Sequence, residues 1–163
     1  ASGRMGQALL EAAATTEGIV VGSAVDLAAG AWGSVAIGTD VTASANDALA
    51  MGRSSKATAV FATAIGTSSQ AAGTSSAAFG PNANASANFA LALGNAAVSS
   101  GSGSLAAGSG AQSTDVGAVA VGNNSAASAT NAIAVGLGSI ANATDTVAMG
   151  RQTQATAVAA GET

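Results

Sequence analysis

Eight carboxylates are the groups in this 163-residue chain best suited to acid–base chemistry: Glu11, Glu17, Asp26, Asp40, Asp47, Asp115, Asp145 and Glu162. The chain has no Cys and no His. That removes disulfides, thiol nucleophiles, most zinc sites and the usual general base. Two carboxylates flanking a groove could hydrolyse a sugar. Here Asp40 and Asp47 lie close in sequence, while Asp115 and Asp145 stand far apart. Asp is equally a turn former, and that reading fits these positions better. A calcium-binding repeat would need an Asp in every unit, and most stretches have none. No catalytic residue, metal ligand or cofactor is therefore expected, and the chain is predicted to be a non-enzyme.

Charge excludes further classes. Four basic residues (Arg4, Arg53, Lys56, Arg151) and the eight acids give a net charge of −4, and no charge lies between Lys56 and Asp115. Nucleic acid and anionic membrane surfaces need clustered Lys and Arg, so neither is an expected partner. Apolar residues make up 48% of the chain but aromatics only 2%, so its hydrophobicity is small and aliphatic. There is no signal peptide and no apolar run long enough to span a membrane. The pattern starts and stops in mid-repeat, which is expected of a piece of a longer protein.

The elements that position these residues follow from an internal repeat. A glycine ends each of a series of alternating triplets: Gly38 (VAIG), Gly52, Gly66, Gly80, Gly94 (LALG), Gly108, Gly122, Gly136 and Gly150 (VAMG). Every step is 14 residues. Gly22 precedes Gly38 by 16, which reads as a two-residue loop insertion. A phosphate loop is one loop, so glycines at this period are structural.

Counting back from each glycine, two columns are mostly aliphatic and enclose an alanine. The aliphatic residues are Val35, Ile37, Leu49, Met51, Ile65, Phe79, Leu91, Leu93, Leu105, Val119, Val121, Ile133, Val135, Val147 and Met149. They are expected to form a structural core column, with Phe79 inside it. Period-2 alternation makes this a strand. Four to six residues after each glycine, a second strand carries Ala or Ser on one side and mainly polar residues on the other. Two short strands and two tight turns per 14 residues make one coil of a parallel β-solenoid. Gly6 lies a further 16 residues before Gly22; stacked at about 4.8 Å, the ten steps from Gly6 to Gly150 give a rod of roughly 50 Å. The first strand is apolar on both faces, and such strands are normally buried on both. Another copy of the chain is the simplest cover, placed parallel about the long axis.

The segments "SVAIGTDVTASANDALAMGRSSKATA" (34–59) and "NAIAVGLGSIANATDTVAMGRQTQATA" (131–157) resemble the head repeats of trimeric autotransporter adhesins, the YadA-like heads of Gram-negative bacteria. The resemblance covers about residues 19–163. It implies an all-β, left-handed parallel β-roll and a parallel homotrimer at the tip of a surface fibre. It also implies virulence-related attachment to a host extracellular matrix protein, a host-cell receptor or other bacteria. By the same resemblance the head is extracellular, on the bacterial cell surface. Its anchor to the outer membrane would run through regions not seen here, with no direct membrane contact by this segment.

Residues 1–18 are expected to form a leading or capping segment. The stretch "ASGRMGQALLEAAATTEGIVVGSAVD" (1–26) resembles the start of dihydrodipicolinate reductase, with Asp26 placed like a ribose-binding acid. The strand that should precede that loop is missing, so an NAD(P)-dependent reductase fragment is a remote alternative. An irregular leading coil capped by "QALLEAAATTE" is the simpler reading.

The candidate adhesive face is the outer side of the second strand: Thr42, Ser44, Lys56, Thr58, Gln70, Asn84, Ser86, Gln112, Thr114, Gln154 and Thr156. Its regular Ser/Thr rows also admit an ice- or polymer-binding solenoid, and a non-adhesive spacer is a further alternative. Trp32 is expected to pack against the loop insertion before Gly38, with ligand contact as its other possible role.

Overall fold

Alternation at period 2, broken by a turn every few residues, leaves no room for a helix or a long strand. The computed structural model describes residues 32–156. Over that range the chain winds into a parallel β-solenoid of about nine coils. Eighteen strands alternate in chain order. The odd-numbered ones have three residues, from β1 (Val35–Ile37) to β17 (Val147–Met149). The even-numbered ones have two, from β2 (Thr42–Ala43) to β18 (Gln154–Ala155). Each set forms its own nine-stranded parallel sheet in sequential order. The register advances one repeat per rung: Val35 pairs with Leu49, and Thr42 with Lys56. The leading segment, Gly22 and most of the 16-residue step lie outside the described residues.

The ladder between rungs is made by the backbone. The Val35 N–H donates to the Ala48 carbonyl at 2.8 Å, and the Gly52 N–H to the Ile37 carbonyl at 2.8 Å. A serine three residues after the glycine adds a local tie. The hydroxyls of Ser55, Ser69 and Ser125 each donate to the carbonyl of Gly52, Gly66 and Gly122 at 2.9 Å.

The core overturns one expectation. The residues between the sheets are mostly alanines, among them Ala50, Ala64, Ala85 and Ala92, all with no exposure, with serines at some rungs. The expected core column is not inside the coil. Val35, Ile37, Met51, Phe79, Val147 and Met149 are exposed, and Leu49, Ile65, Leu91, Leu93, Leu105, Val119, Val121, Ile133 and Val135 are only half-buried. Phe79 keeps 37% of its surface exposed. The reason is steric. Alternation sends the middle alanine inward and its two neighbours outward, and apart from Val41 in the first coil the narrow interior holds only small side chains.

The glycine series is enforced by the neighbouring rung. Gly94 has φ +128, and a Cβ added to it would lie 2.6 Å from the carbonyl oxygen of Gly108. Ser99, Ser104 and Ser113 form a small polar ring inside the core. Ser99 Oγ donates to the Ser104 carbonyl at 2.9 Å, and Ser113 Oγ to Ser99 Oγ at 3.3 Å. The buried Ser76 hydroxyl has no partner.

Gly94→Ala meets both a disfavoured φ and a backbone clash, so it costs about 2 kcal/mol or more. Gly103→Ala has φ +66 and nothing within 4 Å of the new Cβ, so it costs only about 1 kcal/mol. Thermal unfolding of the two variants checks the order. Ser76→Ala removes an unpaired buried hydroxyl and raises stability by about 1 kcal/mol, whereas Ser99→Ala opens the ring and lowers it by about the same amount.

Candidate functional site

Turn chemistry decides where the carboxylates go. The third residue of each turn is left-handed, the conformation that Asp, Asn and Gly tolerate best. Asp40, Asp47 and Asp145 occupy it, with φ of 57°, 55° and 58°. Asp40 and Asp47 sit in the two different turns of one coil, on opposite sides of its second strand, and are not brought together. Asp145 accepts a hydrogen bond from Asn131 Nδ2 at 2.9 Å, and Asp115 accepts one from the Val116 N–H at 2.7 Å. Among the described residues, no three Asp, Glu, His or Cys side chains gather into a group able to hold a metal ion. These acids shape turns.

What the coil offers instead is two outer faces of different chemistry. The even-numbered sheet turns one polar row outward: Thr42, Lys56, Gln70, Asn84, Gln112 and Gln154. A second row, just past each strand, holds Ser44, Thr58, Ser86, Thr114 and Thr156. All eleven are exposed or half-buried, so every residue expected on this face does lie on it. Val98, Ala126 and Ile140 interrupt the first row with half-buried apolar side chains. Lys56 is the only charge on the face. The face is flat, nearly neutral and repeats at each rung.

The odd-numbered sheet turns its aliphatic columns outward along all nine rungs. Single exposed apolar residues are ordinary on a protein surface, but contiguous patches mark interfaces. This stripe is continuous from Val35 to Met149.

The turns also hold exposed aromatic residues. Trp32 is 78% exposed; the loop insertion it was expected to pack against lies outside the described residues. Phe61 and Phe89 are exposed and have left-handed φ of 59° and 58°. Their place in the Gly/Asn/Asp/Ser row of the turn was visible in the sequence as a break in that row. Side-chain ties also cross between rungs: Asn46 Oδ1 accepts from the Trp32 N–H at 3.1 Å, and Asn88 Oδ1 from the Thr74 N–H at 3.0 Å.

The aliphatic stripe makes a separable prediction. Leu91 and Leu93 are only half-buried in the single chain. Leu91→Ser with Leu93→Ser therefore costs the isolated coil little, about 1 kcal/mol or less. The same change removes any self-association through this face. Circular dichroism and light scattering on one sample separate the two effects.

The family model described as the YadA head domain repeat matches residues 43–69, 71–97, 99–125, 116–139 and 127–153. No curated protein matches the chain.

Proposed function

Since the chain belongs to the YadA head domain repeat family, the heads of trimeric autotransporter adhesins, we propose that it assembles as a parallel homotrimer and attaches bacteria to a host matrix protein, a host-cell receptor or one another. Heads of this family are non-enzymatic adhesin domains, exposed at the surface of the outer membrane. The observation that carries the proposal is the contrast between the coil's outer faces. One is aliphatic over nine rungs, and the other is polar and nearly uncharged.

Each face has one part in this reading. The outer side of the odd-numbered sheet is the assembly surface. Three copies around the long axis bury their aliphatic columns against one another, and each buried CH₂ contributes about 0.8 kcal/mol. The outer side of the even-numbered sheet then points away from the axis and is presented three times. Thr42, Lys56, Gln70, Asn84, Gln112, Gln154 and the Ser/Thr row beside them make individually weak hydrogen bonds with a ligand. Repetition over rungs and copies turns them into avidity. Regions outside this segment connect the head to the outer membrane.

Light scattering coupled to size exclusion tests the assembly. The expected mass is three times the chain mass of 14.9 kDa; a single chain mass overturns it. Binding to immobilised matrix proteins tests the adhesive face. With so little charge to screen, raising NaCl from about 0.1 to about 1 M shifts the apparent affinity by less than about threefold. Gln112→Ala with Thr114→Ala weakens binding and leaves the mass unchanged. A steep salt dependence, or no effect of the pair, moves the adhesive site elsewhere.

A further inference from the structure

Two phenylalanines sit where a bulky side chain is costly. In the turn that leads into each odd-numbered strand, the third residue is left-handed, and elsewhere that row holds only Gly, Asp, Asn or Ser. Phe61 and Phe89 occupy it at φ of 59° and 58°, with 58% and 65% of their surface exposed. A bulky residue in this conformation is an outlier, and such outliers persist where something else holds them. Nothing within the described coil covers these rings.

The opposite edge of the coil carries a matching pair. In the other turn, the residue after the glycine is Thr, Asn or Ser in most rungs. Arg53 and Pro81 break that run, as do Leu137 and Arg151 further along, and both are exposed. Arg53 lies eight residues before Phe61, and Pro81 eight before Phe89. Each ring thus has, about half a coil lower (~2.4 Å) and on the far edge, a group that stacks on aromatic faces. A guanidinium does so by cation–π attraction, and a proline ring by flat apolar contact. The coil itself keeps the two edges apart within one chain. A closed ring of identical parallel copies has heterologous contacts, which set one edge of a copy against the opposite edge of the next.

We propose that Phe61 and Phe89 of one copy stack on Arg53 and Pro81 of the adjacent copy, and that these two contacts lock the rungs of the assembly in register. The proposal rests on the trimer reading. It adds the residues that join neighbouring copies at their edges, beyond the aliphatic stripe. The occupant of the Phe61–Phe89 edge is a second copy of this chain.

The test uses a sign. Asn fits the left-handed row, where Asn131 already sits with φ 56°. On a free edge, Phe61→Asn with Phe89→Asn relieves strain, raises the thermal midpoint and leaves the trimer's dissociation on dilution unchanged. At a copy-to-copy contact, the same pair shifts dissociation to concentrations higher by on the order of tenfold or more. Arg53→Ala then reproduces the Phe61→Asn loss and adds little to it. Val116→Asn, on the same edge but level with Ser109 and Asn123, has no effect. The chain lacks cysteine, so cross-linking gives a direct reading. Arg53→Cys with Phe61→Cys oxidises to covalent dimers and closed trimers, while Ser109→Cys with Phe61→Cys, more than three rungs apart, does not. A trimer that the asparagine pair leaves unweakened, or that does not cross-link, overturns the edge contact and keeps the trimer. A monomeric unmodified chain overturns both.

Discussion

The two sheets of the coil approach so closely that no fully buried side chain between them is larger than a hydroxymethyl group. The largest fully buried side chains in the described structure are serines. An alanine contributes one methyl group to the core, and each buried carbon of that kind is worth about 0.8 kcal/mol. Such an interior stabilises far less per residue than one filled with Leu or Ile. The backbone ladder and the contacts outside the coil therefore carry more of the fold. The aliphatic side chains must lie outside, and the aliphatic stripe on the odd-numbered sheet is the direct consequence of the narrow interior.

The same closeness governs the turns. A carbonyl of the next rung lies where a Cβ would project from each glycine of the series from Gly52 to Gly136. Since every rung sees the same neighbour, a requirement at one rung becomes a requirement at all of them. The nine rungs form an internal comparison. The inward position of the odd-numbered strands is alanine without exception, and the turn glycine never changes. The left-handed positions, which project outward, accept Asp, Ser, Asn, Gly, Ala, Gln and Phe. Strict positions mark contact with the rung above, and loose ones mark the surface.

This division decides what the sequence discloses. The 14-residue period, the two strands per coil and the outward polar rows are visible because they recur nine times. Placing the aliphatic residues in a core was an error of a particular kind. Hydrophobicity says that a side chain seeks burial, but it does not say whether its own chain or another copy provides it. Phe79 is the clear case: it stands in the right column and lies outside the coil. The hydroxyl ties from Ser55, Ser69 and Ser125 to their turn glycines depend on turn geometry, which composition does not specify. Ser99, Ser104 and Ser113 replace alanine on neighbouring rungs; the sequence shows Ser in the small inner column, but not that the three hydroxyls meet in a ring. Phe61 and Phe89 break a turn row in the sequence, but the cost of a bulky residue there is known only once the left-handed backbone is.

A surface built this way separates stability from recognition. The inner rows and the turn glycines hold the coil, while the polar rows of the even-numbered sheet make no contact that the coil depends on. Exchange of one small polar residue for another on that face leaves the backbone ladder intact, since the ladder uses only N–H and carbonyl groups. Substitutions at such exposed positions usually change stability by less than about 0.5 kcal/mol. The face can therefore take on a new pattern of donors and acceptors without a new fold. The poverty of chemistry in each rung is part of the same arrangement. A contact made by one Gln or Thr is weak and unselective, and specificity has to come from how such groups are spaced over many rungs. The solenoid fixes that spacing to one rung height along the rod, and the turn glycines are what keep the rung height constant.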